Sequence, residues 1–301
     1  MARPSSSSSS LSSAPHGRYQ APPVQLQVMR AGLKVLHRVS PELAFRVAWR
    51  LFSTPRRLPV KPWETTALAV ARPARVPFAS GSLAVFEWGP PAGPLVLLVH
   101  GWEHRAAYWG AFAAALAAAG YRVVAFDCPA HGTSAGRRTS LIRTARAVQT
   151  VADWLGAPTY AVVAHSFGAA ATTALPTRFN AGAGLPRLVL LAAPGSLQAV
   201  AERFAGLLNL PPTVVARMVR HIRERYGREP DDFSLSRVGP SLPVEQALLI
   251  HDHHDEVVPF AEAAAVAAGW PALRFEPTTG IGHNQILRDS AVIARVVAFL
   301  T

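Results

Sequence analysis

The sequence predicts an α/β protein built on a doubly wound, mostly parallel sheet. Short apolar runs of strand length alternate with alanine-rich helical stretches along the 301 residues, the pattern that stacks helices on both faces of a sheet. Half of the residues are hydrophobic, so a sizeable core is available. No internal repeat is present, and no continuous apolar run is long enough to cross a bilayer.

Read from the N-terminus, residues 1–22 contain Ser5–Ser10 and form a serine-rich tail expected to be disordered, without the apolar centre of a secretory signal. Residues 23–63 form a basic amphipathic segment. Within it, Val24–Val39 sets Arg30, Lys34 and Arg38 at four-residue steps opposite Met29, Leu33 and Leu36, and Leu43–Phe52 repeats the theme with Arg46 and Arg50. Such helices either pack on the rest of the protein or lie on an anionic membrane surface, giving peripheral contact through residues 24–52. The arginine-rich, acid-poor composition also resembles a transit peptide.

Residues 64–301 are expected to form one unit. Its strands are, in order, Leu83–Trp88, Leu95–His100, Arg122–Asp127, Tyr160–His165, Arg187–Ala192, Ala247–His251 and Leu273–Glu276, with helices between most of them. The alternation lapses for about fifty residues after Pro194-Gly195. There, Ser196–Asn209 and Pro212–Tyr226 have helical periodicity and predict a small helical cap at about 196–243.

The formal charge of +12 is unevenly placed. Residues 1–63 hold ten of the thirty bases and one of the eighteen acids, so the remainder is nearly balanced, and no basic recognition element indicates a nucleic-acid partner. Cys128, the only cysteine, permits no intrachain disulfide and matches a reducing compartment such as the cytoplasm.

The stretch Ala164-His165-Ser166-Phe167-Gly168 places one serine between the strand-like Tyr160–Val163 and a small-residue helix. A serine on such a corner is exposed as a nucleophile, and it needs a base and a group to orient that base. An acid is offered by Asp255, with Asp252 and Glu256 as alternatives. Glu256 is expected to point to solvent. A base is offered by His283 in the glycine-flanked Thr279–Asn284 loop, in competition with His251, His253 and His254. The His251–Asp255 run has neither the ligand order nor the cysteine partners of a metal site, so no metal is expected.

Serine, acid and histidine in that order, with the elbow above, resemble an α/β-hydrolase fold serine hydrolase of the esterase, lipase and thioesterase grouping, over residues 75–301. Two more motifs are similar to that family's: Leu95–Trp102, a strand with a His-Gly turn, and Asp127-Cys128-Pro129-Ala130-His131-Gly132-Thr133-Ser134. Ala164 and Ala130 stand where the family has glycine. The resemblance implies Ser166, His283 and Asp255 as catalytic triad, the backbone N–H groups of Trp102 and Phe167 as oxyanion hole, and His100, Gly101, His165 and Gly168 as supports of the pocket. It implies two-step acyl transfer on a small-molecule ester or thioester with no cofactor. A perhydrolase or C–C bond hydrolase using the same triad, and a non-catalytic binding protein on this fold, are the alternatives.

Overall fold

In the computed structural model, which describes residues 23–175, 179 and 184–301, eight strands form one sheet in the order β1-β2-β4-β3-β5-β6-β7-β8. They are β1 (Arg72–Phe78), β2 (Gly81–Trp88), β3 (Leu95–Val99), β4 (Arg122–Phe126), β5 (Thr159–His165), β6 (Leu185–Leu191), β7 (Val244–Asp252) and β8 (Leu273–Thr278). Pairing is antiparallel from β1 to β2 and from β2 to β4, and parallel from there to β8. The seven strands expected from sequence are all in this sheet. The eighth, β1, escapes the pattern because Pro73 and Pro77 interrupt it and only Val76 is buried. Prolines lack the ladder donor, so such a strand belongs at an edge, and β1 pairs on one side only.

Period-two alternation divides each buried strand between two layers. In β3, Leu95, Leu97 and Val99 join the core on one face of the sheet, and Val96 and Leu98 join the core on the other. The first face is covered by α5 (Leu141–Leu155), α6 (Phe167–Thr173) and α10 (Phe260–Gly269), through residues such as Val148, Ala169 and Val266. The second is covered by α4 (Gly110–Ala118) and α12 (Ser290–Leu300), through Phe112, Leu116, Val292 and Val296.

Three helices precede the sheet: α1 (Val24–Val39), α2 (Pro41–Ser53) and α3 (Pro62–Ala69). The stretch between β6 and β7 contains α7 (Leu197–Leu208), α8 (Pro212–Tyr226) and the short α9 (Leu235–Val238). Ser40 caps α2 by accepting the Leu43 amide, and Pro41 at the first helical position starts the helix without wasting a donor. One face of α2 is then buried, with Ala44, Phe45 and Ala48 packed among Val214 and Met218 of α8. Leu33 of α1 is buried as well, and the Arg30 guanidinium donates to the Leu207 carbonyl at 2.9 Å. The serine-rich stretch at residues 1–22 lies outside the described residues.

Between α2 and α3 the chain is fastened to the loops beyond β3 and β4. Arg56 pairs in a fork with Glu103 (Nη2 to Oε2 2.7 Å), and Arg57 donates to the carbonyls of Ser134 and Gly136 at 2.7 and 3.1 Å. Glu64, buried at the start of α3, pairs with Arg105 at 3.1 Å.

Candidate active site

Ser166, Asp255 and His283 meet at the C-terminal ends of the parallel strands, beside the loops that follow β3 and β4. At the end of β5 the chain turns into α6 through Ser166, whose φ of 50° and ψ of −120° lie in a conformation that a side chain adopts only under constraint. The turn is held by the Ser166 amide, which donates to the Leu191 carbonyl at 2.9 Å. Close packing then fixes Gly168. A Cβ there would stand 2.4 Å from the Val99 carbonyl oxygen and 2.5 Å from that of His100. Ala164, in contrast, is an ordinary fully buried strand residue, which is why alanine serves there.

The structure brings Ser166, His283 and Asp255 together across 117 and 28 residues of sequence. His283 Nε2 lies 2.9 Å from Ser166 Oγ, and His283 Nδ1 lies 2.8 Å from Asp255 Oδ2. All three are buried, at 9%, 5% and 9% exposure. The other oxygen of Asp255 accepts the amides of Val257 and Val258, both at 2.8 Å. Burial pushes the Asp255 carboxyl up, but its hydrogen bond and charge interaction with His283 and these two amides outweigh that and hold it below the ordinary value. His283 itself is delivered by α11 (Gly282–Gln285), one turn of helix in the loop after β8.

The neighbouring acids have other tasks. Asp252 accepts the His254 amide on one oxygen and the Thr278 hydroxyl and Ile281 amide on the other, at 2.8–3.0 Å, so it braces the loop that carries His283. Burial alone would raise its carboxyl; the Ile281 and His254 amides and the Thr278 hydroxyl lower it to about 2. Glu256 is exposed, as the sequence leads one to expect, and its Oε2 also accepts the backbone N–H of His283 at 3.3 Å. The three competing histidines also diverge. His251 is buried and donates to the Val258 carbonyl with Asp255 3.4 Å away, His253 stacks on Phe260, and His254 is exposed. Among the described residues, no three histidine, cysteine or acidic side chains converge as a metal site.

His100 joins two loops of the site. Its Nδ1–H donates to the Gly101 carbonyl at 2.7 Å and its Nε2 accepts the Cys128 amide at 2.9 Å, a pair of bonds that only the neutral ring can make. Burial first, and then nearby His131, hold it well below the usual histidine value. His165 donates through Nε2 to the His283 carbonyl at 3.0 Å, and Gly101 lies so close that a Cβ would come within 2.7 Å of the His165 ring. Sequence reasoning missed His104, which stacks between Tyr108 and His165 and is pushed to about 4 by burial and by His283. Nothing in its local sequence marks it. The Trp102 and Phe167 rings meet edge to face at 5.1 Å, and among the described residues the amide of neither has a hydrogen-bond partner.

Asp127 closes the second motif by accepting the Ala106 amide at 2.8 Å and the Thr133 amide at 2.7 Å. Cys128, beside it, is fully buried, and burial pushes its thiol well above the usual range, so it is no nucleophile. Ala130 adopts φ 69°. Left-handed alanine costs about 1–2 kcal/mol, part of which the unfolded chain returns to glycine. Ala130→Gly is therefore expected to raise Tm by about 1–3 °C, read by calorimetry; an unchanged or lower Tm would show that the loop holds the alanine without strain.

The model of the alpha/beta hydrolase family matches residues 96–296, two thirds of the chain. The chain belongs to the alpha/beta hydrolase family. Among solved structures, the hydrolase resembles a membrane phospholipase A described as a bacterial virulence factor, with 20% identity over 91% of this chain and 98% of that one and a TM-score of 0.60. It also resembles the naproxen esterase of Bacillus subtilis (19%, 79% and 94%, 0.56) and the thioesterase domain of the curacin biosynthetic pathway (18%, 76% and 99%, 0.57). No curated protein matches the hydrolase in sequence. Among its described residues no helix is long and apolar enough to cross a membrane.

Proposed function

We propose that this hydrolase cleaves carboxylic esters or thioesters of small molecules through an acyl-enzyme on Ser166. The observation that carries the reading is the continuous chain of hydrogen bonds from Ser166 through His283 to Asp255, at 2.9 and 2.8 Å. A serine hydroxyl is a poor nucleophile unless a base stands within hydrogen-bond reach, and His283 Nε2 does. In this reading His283 takes the proton as Ser166 Oγ attacks the carbonyl, then gives it to the leaving alcohol or thiol. Asp255 fixes the ring with Nδ1–H toward itself and stabilises the imidazolium. The free amides of Trp102 and Phe167 receive the oxyanion, and a water activated by His283 then releases the acid. The helices between β6 and β7 serve as a cap whose inner side shapes the acyl site.

Labelling by a fluorophosphonate tests the reading directly, because the reagent requires an activated serine. Ser166 is expected to be the labelled residue by peptide mass spectrometry, and turnover is expected on p-nitrophenyl esters or acyl thioesters. Absence of both labelling and turnover would favour a binding protein on this fold.

A further inference from the structure

Among the described residues, twelve large hydrophobic side chains are exposed, and seven of them lie between Val24 and Val47. On α1 they are ordered. At about 100° per residue, Val24, Val28, Val35 and Val39 fall within an arc of about 60°, with Lys34 and Arg38 along one border. Their exposures run from 58% to 77%. The opposite side of the same helix carries buried Leu33, half-buried Leu36 and the Arg30 bond to Leu207, so attachment to the rest of the protein is already served there. The valine row contributes nothing to that packing, and valine is a weak helix former on an exposed face. On α2, exposed Leu43 and Val47 stand next to Arg46 and Arg50 in the same way.

The charge around this face is one-sided. From Val24 to Ser53 there are five bases and a single acid, Glu42, which is already engaged by Arg46 and Arg217. Beside α2 a cleft of about 650 Å³ toward α8 is lined by six arginines and two glutamates. Among the described residues, Arg50, Arg138 and Arg220 in that cleft and Lys34 and Arg38 on α1 have no carboxylate partner.

We propose that the outward face of α1 and α2 docks on an anionic phospholipid bilayer. The valine row, about 22 Å from Val24 to Val39, lies in the plane of the interface and enters the acyl boundary, while Lys34, Arg38 and Arg50 reach the lipid phosphates. An isologous contact between two copies would instead set these bases against each other, which charge disfavours. The proposal is independent of the ester reading, since none of its residues touches Ser166, His283 or Asp255.

The test is flotation of the full chain with large unilamellar vesicles of phosphatidylcholine alone and of phosphatidylcholine with 30% phosphatidylglycerol, in 50 and 500 mM NaCl. Binding is expected on the anionic vesicles at low salt and is expected to fall steeply at high salt. Lys34→Gln with Arg38→Gln should weaken it by roughly 5-fold per base. Val28→Asp with Val35→Asp should reduce it at least 10-fold, while Tm and hydrolysis of a soluble aryl ester stay unchanged; Val28→Ser with Val35→Ser repeats the experiment without added charge. Equal flotation of both valine variants, or failure of the wild-type chain to bind anionic vesicles, overturns the proposal. A dimer in light scattering that the valine variants dissociate, with no vesicle binding, assigns the face to a second copy.

Discussion

Ser166→Ala is expected to lower ester turnover by about 10⁴-fold or more and to abolish fluorophosphonate labelling, with the fold retained. The hydroxyl gives up one hydrogen bond, to His283, and β5 and α6 remain packed as before. His283→Ala should cost a comparable factor, because without it nothing within hydrogen-bond reach accepts the serine proton. Combining the two should add almost nothing, since the groups act as one unit. Turnover of Ser166→Ala near the wild-type rate, measured on enzyme titrated for active sites, would remove Ser166 from the mechanism. Full additivity of the double variant would separate His283 from it.

The second large effect separates two aspartates three residues apart. Asp255→Asn is expected to cost about 10³–10⁴-fold in kcat, because an amide can donate to Nδ1 and so favour the wrong tautomer of His283, while stability changes little. Asp252→Asn should act mainly on stability. An amide cannot accept from His254 on one side and from both Thr278 and Ile281 on the other, so a buried donor loses its partner at about 1–3 kcal/mol. The carboxylate also ties stability to acid. Its folded value of about 2 lies below the ordinary 3.8, so about 2 kcal/mol of stability is present above pH 5 and is lost as pH falls toward 2. Urea titrations at pH 2–7 should therefore show a flatter acid limb in Asp252→Asn than in the wild type. Full activity of Asp255→Asn together with loss of activity in Asp252→Asn would exchange the two roles.

The contrast between these residues shows what the sequence can convey. Buried strands announce themselves because both faces are apolar, so β3 through β7 are legible as uninterrupted runs, whereas β1 hides behind two prolines that only an edge accepts. The elbow is legible because close packing on Val99 and His100 permits nothing larger than hydrogen at Gly168. The division of labour between Asp252, Asp255 and Glu256 is not. Asp252 ends β7 and the other two follow it in the turn, and which carboxylate meets His283 depends on a register between β7 and β8 set by pairs such as Asp252 with Thr278. The hold of Arg56 on Glu103 spans 47 residues and leaves no trace in either local pattern.

The burial of Cys128 has a practical side. Because it is the only cysteine and its side chain is fully buried in the core, the native protein offers maleimides no target. A single cysteine placed at exposed Ala31, between the valine arc and Arg38, would be uniquely addressable. An environment-sensitive dye attached there would report polarity at that face, and quenchers fixed at known acyl depths would turn its emission into a ruler for how far the helix enters lipid.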